Sequence, residues 1–281
     1  MTREQDRARG RRREEQQRSA KPPVGENTRD KQVFGAILAV MLVVAAVIAV
    51  PRILEGRISA TPVAGATAEP TGSAATAAPG LQAGQRLAAG CTTPPPAQPT
   101  PKSFPKVPDK ATAAGKTFLA TVVTTCGQLV LELDGAKAPQ TVASFVYLAR
   151  NGFWAPSPCH RVTTQGIFVL QCGDPTGSGT GGPGYSFGIE NAPKSGVYPA
   201  GTLAMARTSD PNSNGSQFFI TYKDTTLPTA GGGYTIFGKV LKGLEIVERI
   251  AAAKALPPSP ADGTPVAPIS IVSMTVTEKK A

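Results

Sequence analysis

A chain of 281 residues is long enough to bury one sizeable hydrophobic core, and its formal net charge of +10 raises the question of a nucleic-acid partner. The excess charge lies outside the C-terminal part: residues 1–50 contain ten Lys and Arg against six Asp and Glu, whereas residues 117–281 contain twelve against ten. Because a basic tail without interleaved aromatic residues does not indicate a nucleic-acid module, we expect no nucleic-acid partner.

The first 52 residues combine a polar tail with an apolar segment. Residues 1–32 have almost no large apolar side chains, which predicts a disordered basic tail. Residues 33–50 form an uncharged run, VFGAILAVMLVVAAVIAV, near the lower length limit for crossing a bilayer. We predict a single transmembrane signal-anchor helix at residues 33–52. A cleaved signal peptide is the alternative, which the long leader and the lack of a small-x-small cleavage pattern disfavour.

The predicted anchor implies an orientation in the cell membrane. Ten basic residues precede the apolar run and only Arg52 and Arg57 follow it closely, which predicts a cytoplasmic N terminus and an extracytoplasmic C-terminal part. Residues 53–116 are dominated by Ala, Thr, Pro and Gly. This composition predicts a disordered, extended linker between the membrane and a folded domain at residues 117–281.

Short apolar runs broken by Gly and Pro predict a mainly β domain from residue 118 onward. Residues 118–124 and 128–133 have the pattern of a β-hairpin. Apolar spacing predicts helices at residues 138–151 and 244–253. Further strand-like segments lie at residues 167–171, 202–206, 217–222, 235–240 and 269–277. Many strands with two helices indicate a closed antiparallel barrel capped by helices.

All four cysteines follow the apolar run, at Cys91, Cys126, Cys159 and Cys172. An oxidising outer compartment would allow them to form disulfides, although single cysteines are also common as small buried apolar residues. No pair has zinc-ligand spacing and His160 is the only histidine, so we expect no metal site.

Four blocks of sequence stand in order within residues 144–250: SFVYLARNGFW with CHRV, FVLQCGDPTGSGTGGPGYSF, GTLAMARTSDPNSNGSQFFITY and YTIFGKVLKGLEIVERI. Together they resemble the cyclophilin family of peptidyl-prolyl cis–trans isomerases. One short motif would mean little, but four in the same order make a chance resemblance negligible. The resemblance implies a closed eight-stranded antiparallel β-barrel capped by two α-helices. With the apolar run and the Ala-, Arg- and Pro-rich composition, we expect a bacterial, membrane-anchored member of this family that acts as a monomer without a cofactor.

The resemblance also implies roles for individual residues. Arg161 corresponds to the catalytic arginine. The implied proline pocket consists of Phe168, Val169, Phe219 and Leu227. The other implied substrate contacts are Gln171, Met205, Ala206, Arg207, Gln217 and Tyr234. The implied partner is a proline-containing polypeptide.

The chemistry expected of Arg161 follows from the peptide bond itself. An Xaa-Pro bond rotates over a barrier of about 18–20 kcal/mol because resonance gives its C–N bond double-bond character. In the twisted transition state this resonance is lost and the prolyl nitrogen regains a lone pair. A fixed cationic donor beside that nitrogen stabilises the transition state more than the planar ground state, which is the condition for catalysis. A guanidinium suits this task because it stays charged and presents its donors rigidly.

The sequence departs from the family pattern at four places beside the expected site. Arg207 stands where the family usually has Asn. Thr226 lies near where many eukaryotic members have Trp, and Tyr234 falls where they usually have His. Residues 163–167 are about two residues longer than the usual turn after the arginine. A hairpin centred between Gln165 and Gly166 would place Cys159 opposite Cys172, which leaves Cys91 to pair with Cys126.

Two functions from different classes are compatible with these residues. The first is an isomerase that assists the folding of exported or surface proteins. The alternative is a proline-peptide binding module or holdase chaperone with little catalytic activity. The presence of Arg161 favours the enzyme, whereas the changes at Arg207 and Tyr234 leave room for the alternative.

Overall fold

The computed structural model of the protein describes residues 80–280. The predicted cytoplasmic tail at residues 1–32 and the predicted membrane anchor at residues 33–52 lie outside this range, as does the first part of the predicted linker. Among residues 80–280, no helix has both the length and the apolar character needed to cross a bilayer.

Residues 80–280 form twelve strands and two α-helices. The strands are β1 (Thr117–Thr124), β2 (Gly127–Asp134), β3 (Ser157–Pro158), β4 (Arg161–Gln165), β5 (Ile167–Cys172), β6 (Val197–Tyr198), β7 (Thr202–Met205), β8 (Phe218–Thr221), β9 (Thr225–Thr226), β10 (Ile236–Lys242), β11 (Asp262–Gly263) and β12 (Ser270–Glu278). The helices are α1 (Pro139–Arg150) and α2 (Leu244–Ala252).

Ten of these strands pair in one antiparallel sheet that curls on itself. Its order is β11-β4-β5-β8-β7-β10-β2-β1-β12-β3, whereas β6 and β9 form a separate pair. Eight of the ten strands have four or more residues. The chain itself connects the two ends of the sheet. Strand β3, which pairs with β12, is followed after only Cys159 and His160 by β4, which lies near the other end of the strand order.

The inner face of the sheet is apolar because side chains alternate along each strand. Phe118, Ala120 and Val122 of β1 are buried, and they lie opposite the buried Leu133, Leu131 and Leu129 of β2. Cross-strand pairs of this kind place side chains from both strands on the same face of the sheet.

Helix α1 covers one part of this core. Its Phe145 ring lies 4.7 Å from the Trp154 ring and 5.3 Å from the Phe237 ring, measured between centroids. The helix begins with Pro139 at its first turn, where a missing N–H costs no helical hydrogen bond. The distant Glu190 carboxylate accepts hydrogen bonds from the backbone N–H groups of residues 140 and 141, and it thereby caps the helix N terminus.

Residues 80–116, which we name the strap, differ from the sequence prediction of a disordered linker. The strap lies along the surface of the domain and ends in a short 3₁₀ turn at Lys110–Thr112. Cys91 joins it covalently to Cys126, and Phe104 packs on the hydrophobic core. A proline-rich composition excludes strands and helices but not these tertiary contacts, which offset the cost of ordering an extended chain.

Both disulfides expected from the sequence are present, Cys91–Cys126 and Cys159–Cys172. The β4–β5 hairpin differs in register by half a step from the expected one, because it is centred on Gly166, with Gln165 opposite Ile167. Gly166 has a φ of +75°, a left-handed conformation that suits glycine at a tight turn.

Candidate functional site

The outer face of β5 forms the floor of an apolar pocket. Ile167, Val169 and Gln171 line this pocket, whereas Leu170 and Cys172 belong to the main core. This alternation follows from the two-residue period of a strand. Ile167 therefore occupies a wall position that the sequence prediction assigned to its neighbour Phe168.

Phe168 does not line the pocket. Its ring packs edge-on against Tyr222, with a centroid separation of 5.9 Å, and the Lys223 ammonium lies 5.4 Å from its centroid. The longer β4–β5 hairpin made the register of this strand uncertain from sequence, and a shift of one residue moves a side chain to the opposite face.

The pocket has a volume of about 170 Å³. It is lined by Arg161, Ile167, Val169, Gln171, Ala206, Arg207, Phe219, Leu227 and Tyr234. A cavity of about 150 Å³ holds one benzene ring, so this pocket has room for a single small ring. Its apolar floor includes Val169, Phe219 and Leu227, which form a buried cluster separate from the main core.

Met205 and Ala206 point to opposite sides of the sheet. Met205 is 3 % exposed and lies in the main core, so its side chain does not reach the pocket. Ala206 lines the pocket, and its backbone N–H donates to the carbonyl oxygen of Gln217. The sequence prediction that Met205 contacts substrate is therefore wrong for its side chain.

The Arg161 guanidinium is fixed at the rim of the pocket by two side chains. Its Nε and Nη2 donate to the two carboxylate oxygens of Asp262, at 2.7 and 2.8 Å, and its Nη1 donates to Oε1 of Gln171 at 3.1 Å. Of the five N–H donors of a guanidinium, three are used and two remain for a ligand. A two-point pair with a carboxylate also sets the plane of the guanidinium.

The ion pair shifts both pKa values in the direction that keeps it charged. The hydrogen bond to Asp262 raises the pKa of Arg161 above its ordinary value, and burial opposes this only partly. The hydrogen bond from Arg161 lowers the pKa of Asp262 below its ordinary value. Arg161 is thus a permanent cation beside an apolar pocket.

A chain of amide hydrogen bonds continues from Arg161 along the pocket. Gln171 donates through Nε2 to Oε1 of Gln217 at 3.0 Å. Gln217 in turn donates to the carbonyl oxygens of Gly179 and Gly181, both at 2.9 Å. Because one amide N–H of Gln171 and both of Gln217 have acceptors, the two glutamines are held in one orientation.

Gly179 and Gly181 belong to the glycine-rich loop, residues 173–184, whose internal anchor is Asp174. The Asp174 carboxylate is inaccessible to solvent and accepts hydrogen bonds from the backbone N–H groups of Gly179 and Gly181 at 2.7 and 3.0 Å. Burial raises the pKa of Asp174, but hydrogen bonds from Thr176, the backbone N–H of Gly181 and Ser178 outweigh this effect, so the pKa lies below its ordinary value. The loop is therefore held around an ionised carboxylate.

Arg207 has an internal role that the sequence did not predict. Its guanidinium donates to the carbonyl oxygens of Gly233 at 2.7 Å and Gly231 at 3.1 Å, and its Cζ lies 5.0 Å from the Tyr234 ring centroid. Arg207 therefore fastens the segment that carries Tyr234. The Tyr234 ring in turn packs edge-on against Phe219, at 5.7 Å between centroids, and lines the pocket.

His160 precedes the catalytic candidate Arg161 but does not face the pocket. Burial lowers the pKa of His160, and the nearby positive charge of Arg161 lowers it too. The negative charge of Asp174 acts in the opposite direction but does not reverse the shift, so the imidazole is mainly neutral at pH 7. Its Nδ1 is buried and has no hydrogen-bond partner among the described residues.

A larger cavity of about 370 Å³ adjoins the apolar pocket. The two share Gln171, Ala206 and Arg207 as lining residues. Residues 179–183 of the glycine-rich loop form one wall of the larger cavity, and Thr208 and Ser213 lie on another.

Two residues of the site, Asp262 and Ile167, were missed from the sequence. Ile167 had a detectable signal, since it shares the alternation of Val169 and Gln171. Asp262 had none, because it lies 101 residues from Arg161 in a Pro- and Gly-rich segment.

The apolar pocket has room for one small ring, with a fixed cation at its rim and amide groups along its side. The family model described as cyclophilin type peptidyl-prolyl cis-trans isomerase matches residues 119–276. The chain therefore belongs to the cyclophilin family.

Relatives with similar sequences include two mycobacterial proteins named probable peptidyl-prolyl cis-trans isomerase B. The one from Mycobacterium tuberculosis is 44% identical over 166 residues, which are 54% of this chain and 52% of that protein. The one from Mycobacterium leprae is 40% identical over 215 residues, 70% of each chain. The chain thus spans about half the length of the M. tuberculosis relative.

A similar solved structure is the crystal structure of a Cryptosporidium parvum cyclophilin type peptidyl-prolyl cis-trans isomerase in the presence of the dipeptide Ala-Pro. It has a TM-score of 0.49 and 32% sequence identity, and the match covers 57% of this chain and 99% of that one.

Proposed function

We propose that the protein is a peptidyl-prolyl cis–trans isomerase that acts as a monomer on Xaa-Pro bonds of exported or surface proteins. The observation that supports the activity most directly is the placement of Arg161. Its guanidinium stands at the rim of a ring-sized apolar pocket and keeps two N–H donors free of internal partners.

The proposed mechanism uses the pocket and the cation for different tasks. The apolar floor of Val169, Phe219 and Leu227 holds the proline ring. The preceding residue then turns about the C–N bond. Arg161 donates a hydrogen bond to the prolyl nitrogen as its lone pair becomes available, which stabilises the twisted state more than either planar isomer. The reaction makes and breaks no covalent bond, so it needs no nucleophile and no general base.

The Gln171–Gln217 chain supports this mechanism by positioning. Gln171 binds Arg161 on one side and Gln217 on the other, which fixes the guanidinium relative to the loop that borders the larger cavity. A donor held in place before the substrate arrives needs no reorganisation in the transition state, and this is the main source of electrostatic catalysis.

The test is the cis–trans exchange rate of a blocked Ala-Pro peptide, measured by NMR exchange spectroscopy with and without protein. We expect wild type to accelerate exchange and Arg161→Ala to lose about a hundredfold of kcat/KM, as for removal of one transition-state donor. Arg150→Ala, which removes an exposed arginine at the end of α1, is the matched control and should behave as wild type.

The same experiment separates the enzyme from the alternative binding module. A protein that binds the peptide, seen as shifts in its NMR spectrum, but leaves the exchange rate at its uncatalysed value would be a binding module or holdase. Equal acceleration by wild type and Arg161→Ala would show that the activity resides elsewhere.

We also propose that residues 33–52 anchor the chain in the cell membrane with the domain on the extracytoplasmic side. The uncharged run at residues 33–50 supports an anchor, and the two disulfides support an oxidising compartment. The full chain should stay with the membrane fraction after carbonate extraction, and protease added to spheroplasts should digest the domain. Release by carbonate would contradict an anchor, and full protection from protease would contradict the orientation.

A further inference from the structure

The strap contacts both ends of the glycine-rich loop. Near the start of the loop, the backbone N–H of Gln98 donates to the carbonyl oxygen of Pro175 at 2.9 Å. Near its end, the backbone N–H of Phe104 donates to the carbonyl oxygen of Pro183 at 2.8 Å. At Gly184 the two segments approach so closely that an added Cβ would lie 3.0 Å from the carbonyl oxygen of Phe104. Residues 98–104 thus contact the loop near both of its ends without lining the larger cavity.

Separate contacts fasten residues 98–104 to the domain. The Gln98 side chain donates to the carbonyl oxygens of Phe153 and Pro156, at 3.0 and 2.7 Å. The Phe104 ring packs edge-on against Tyr147, with centroids 5.1 Å apart, and also lies 6.3 Å from the Phe153 ring. These anchors are rigid parts of α1 and the segment after it, so the strap can hold the loop against them.

The loop passes this support to the peptide-binding side. Its residues 179–183 form a wall of the larger cavity, and its Gly179 and Gly181 carbonyls accept the Gln217 amide. Asp174 fixes the middle of the loop from within, whereas the strap fixes its ends. The apolar pocket lies further away and has no strap residue in its lining.

We propose that residues 98–104 of the strap act as a positioning element for the glycine-rich loop and thereby determine the affinity for peptide residues beyond the Xaa-Pro pair. This inference rests on the proposed isomerase function. The strap touches no reacting atom, so it acts on how tightly a long substrate binds rather than on the rotation of the bond. The ligand class is an extended, proline-containing polypeptide, as opposed to an isolated dipeptide.

The experiment compares two substrates and three variants of the full chain. The substrates are a blocked Ala-Pro dipeptide and a blocked heptapeptide in which Ala-Pro has three residues before it and two after it. Phe104→Ala removes the aromatic anchor and Gln98→Ala removes the amide anchor. Leu87→Ala is the matched control, because Leu87 belongs to the same strap, is 39 % exposed and does not line either cavity.

We expect Phe104→Ala and Gln98→Ala to raise KM for the heptapeptide about three- to tenfold, with kcat unchanged. The kcat/KM for the dipeptide should stay at the wild-type value in both variants, and Leu87→Ala should match wild type with both substrates. If Phe104→Ala does not fold, as judged by its thermal unfolding curve, Gln98→Ala decides the question alone.

Three results would overturn the inference. They are an unchanged heptapeptide KM in the folded anchor variants, an equal loss with both peptides, and the same loss in Leu87→Ala. These results differ from failure of the isomerase proposal itself, in which wild type would accelerate neither peptide.

Discussion

Asp262 binds Arg161 through two hydrogen bonds of 2.7 and 2.8 Å, across 101 residues of sequence. This contact orients the cation on which the proposed mechanism depends. We expect Asp262→Ala to lower kcat/KM for a short Ala-Pro peptide about tenfold, because the guanidinium loses its fixed plane. Asp262→Glu should restore part of the rate. Exposed Glu248 offers a matched control, and Glu248→Ala should leave the rate unchanged.

The same ion pair predicts the pH dependence of the activity. Hydrogen bonding from Arg161 lowers the pKa of Asp262 in the folded protein, so Asp262 is fully ionised above the usual unfolded aspartate value of about 3.9. The orienting contact is therefore complete above that value and is lost as pH falls through the lowered folded pKa. NMR exchange rates should stay flat from about pH 5 to 8. A midpoint near neutrality would show that another group controls the site.

Substitutions of Ile167 and Phe168 test the register of β5. Ile167→Ala should raise KM for a proline peptide about threefold, because it removes apolar surface from the pocket wall. Phe168→Ala should instead lower the free energy of unfolding by about 2 kcal/mol, because its ring packs on Tyr222. The KM of Ile167→Ala is measured from NMR exchange rates at several peptide concentrations, and the free energy of unfolding of Phe168→Ala by urea denaturation. An exchange of the two outcomes would mean that the strand is one residue out of register.

Arg207 gives a prediction about the segment that carries Tyr234. Arg207→Ala removes the hydrogen bonds to Gly231 and Gly233, so amide hydrogen exchange at residues 230–234 should speed up by about tenfold or more. Exchange in β1 and β2 should not change. If the segment exchanges as in wild type, the guanidinium does not hold it.

The Cys91–Cys126 bond gives a prediction about stability. It closes a segment of 35 residues, and in the chain-entropy account a loop of this length contributes about 3–4 kcal/mol. Replacing both cysteines with alanine should lower the free energy of unfolding by that amount, measured by urea denaturation, and should expose residues 93–115 to proteases. Wild type, denatured without reductant, should show no free thiol. Two or more free thiols would contradict the two-disulfide arrangement.

The sequence predicted the regular elements well because their signals are local. The hairpin predicted at residues 118–124 and 128–133 is present as β1 and β2. The helix predicted at residues 138–151 is one residue longer than α1 at each end, and the one predicted at residues 244–253 is one residue longer than α2 at its C-terminal end. In these segments the apolar period and the flanking glycines agree with the tertiary structure.

The sequence predictions fail where contacts between distant parts of the chain determine the local structure. The strap has the composition of a linker, and only its contacts with the domain order it. Asp262 reaches Arg161 through the pairing of β11 with β4, which no local pattern indicates. Phe168 was taken as a pocket residue and Met205 as a further substrate contact on the basis of motif position, whereas strand alternation places both side chains against the main core.

The pairing of β3 with β12, immediately before β4, has a consequence for folding during synthesis. Arg161 lies two residues beyond the point where the chain pairs with residues 269–271, and its partner Asp262 also comes late in the sequence. Synthesis proceeds from the N terminus, so a nascent chain carries Arg161 long before the strand that holds it in place has left the ribosome. Such contacts between distant parts of the chain form slowly. The ion pair of Arg161 and the strand pairing next to it can therefore form only after residues 262–271 have been synthesised.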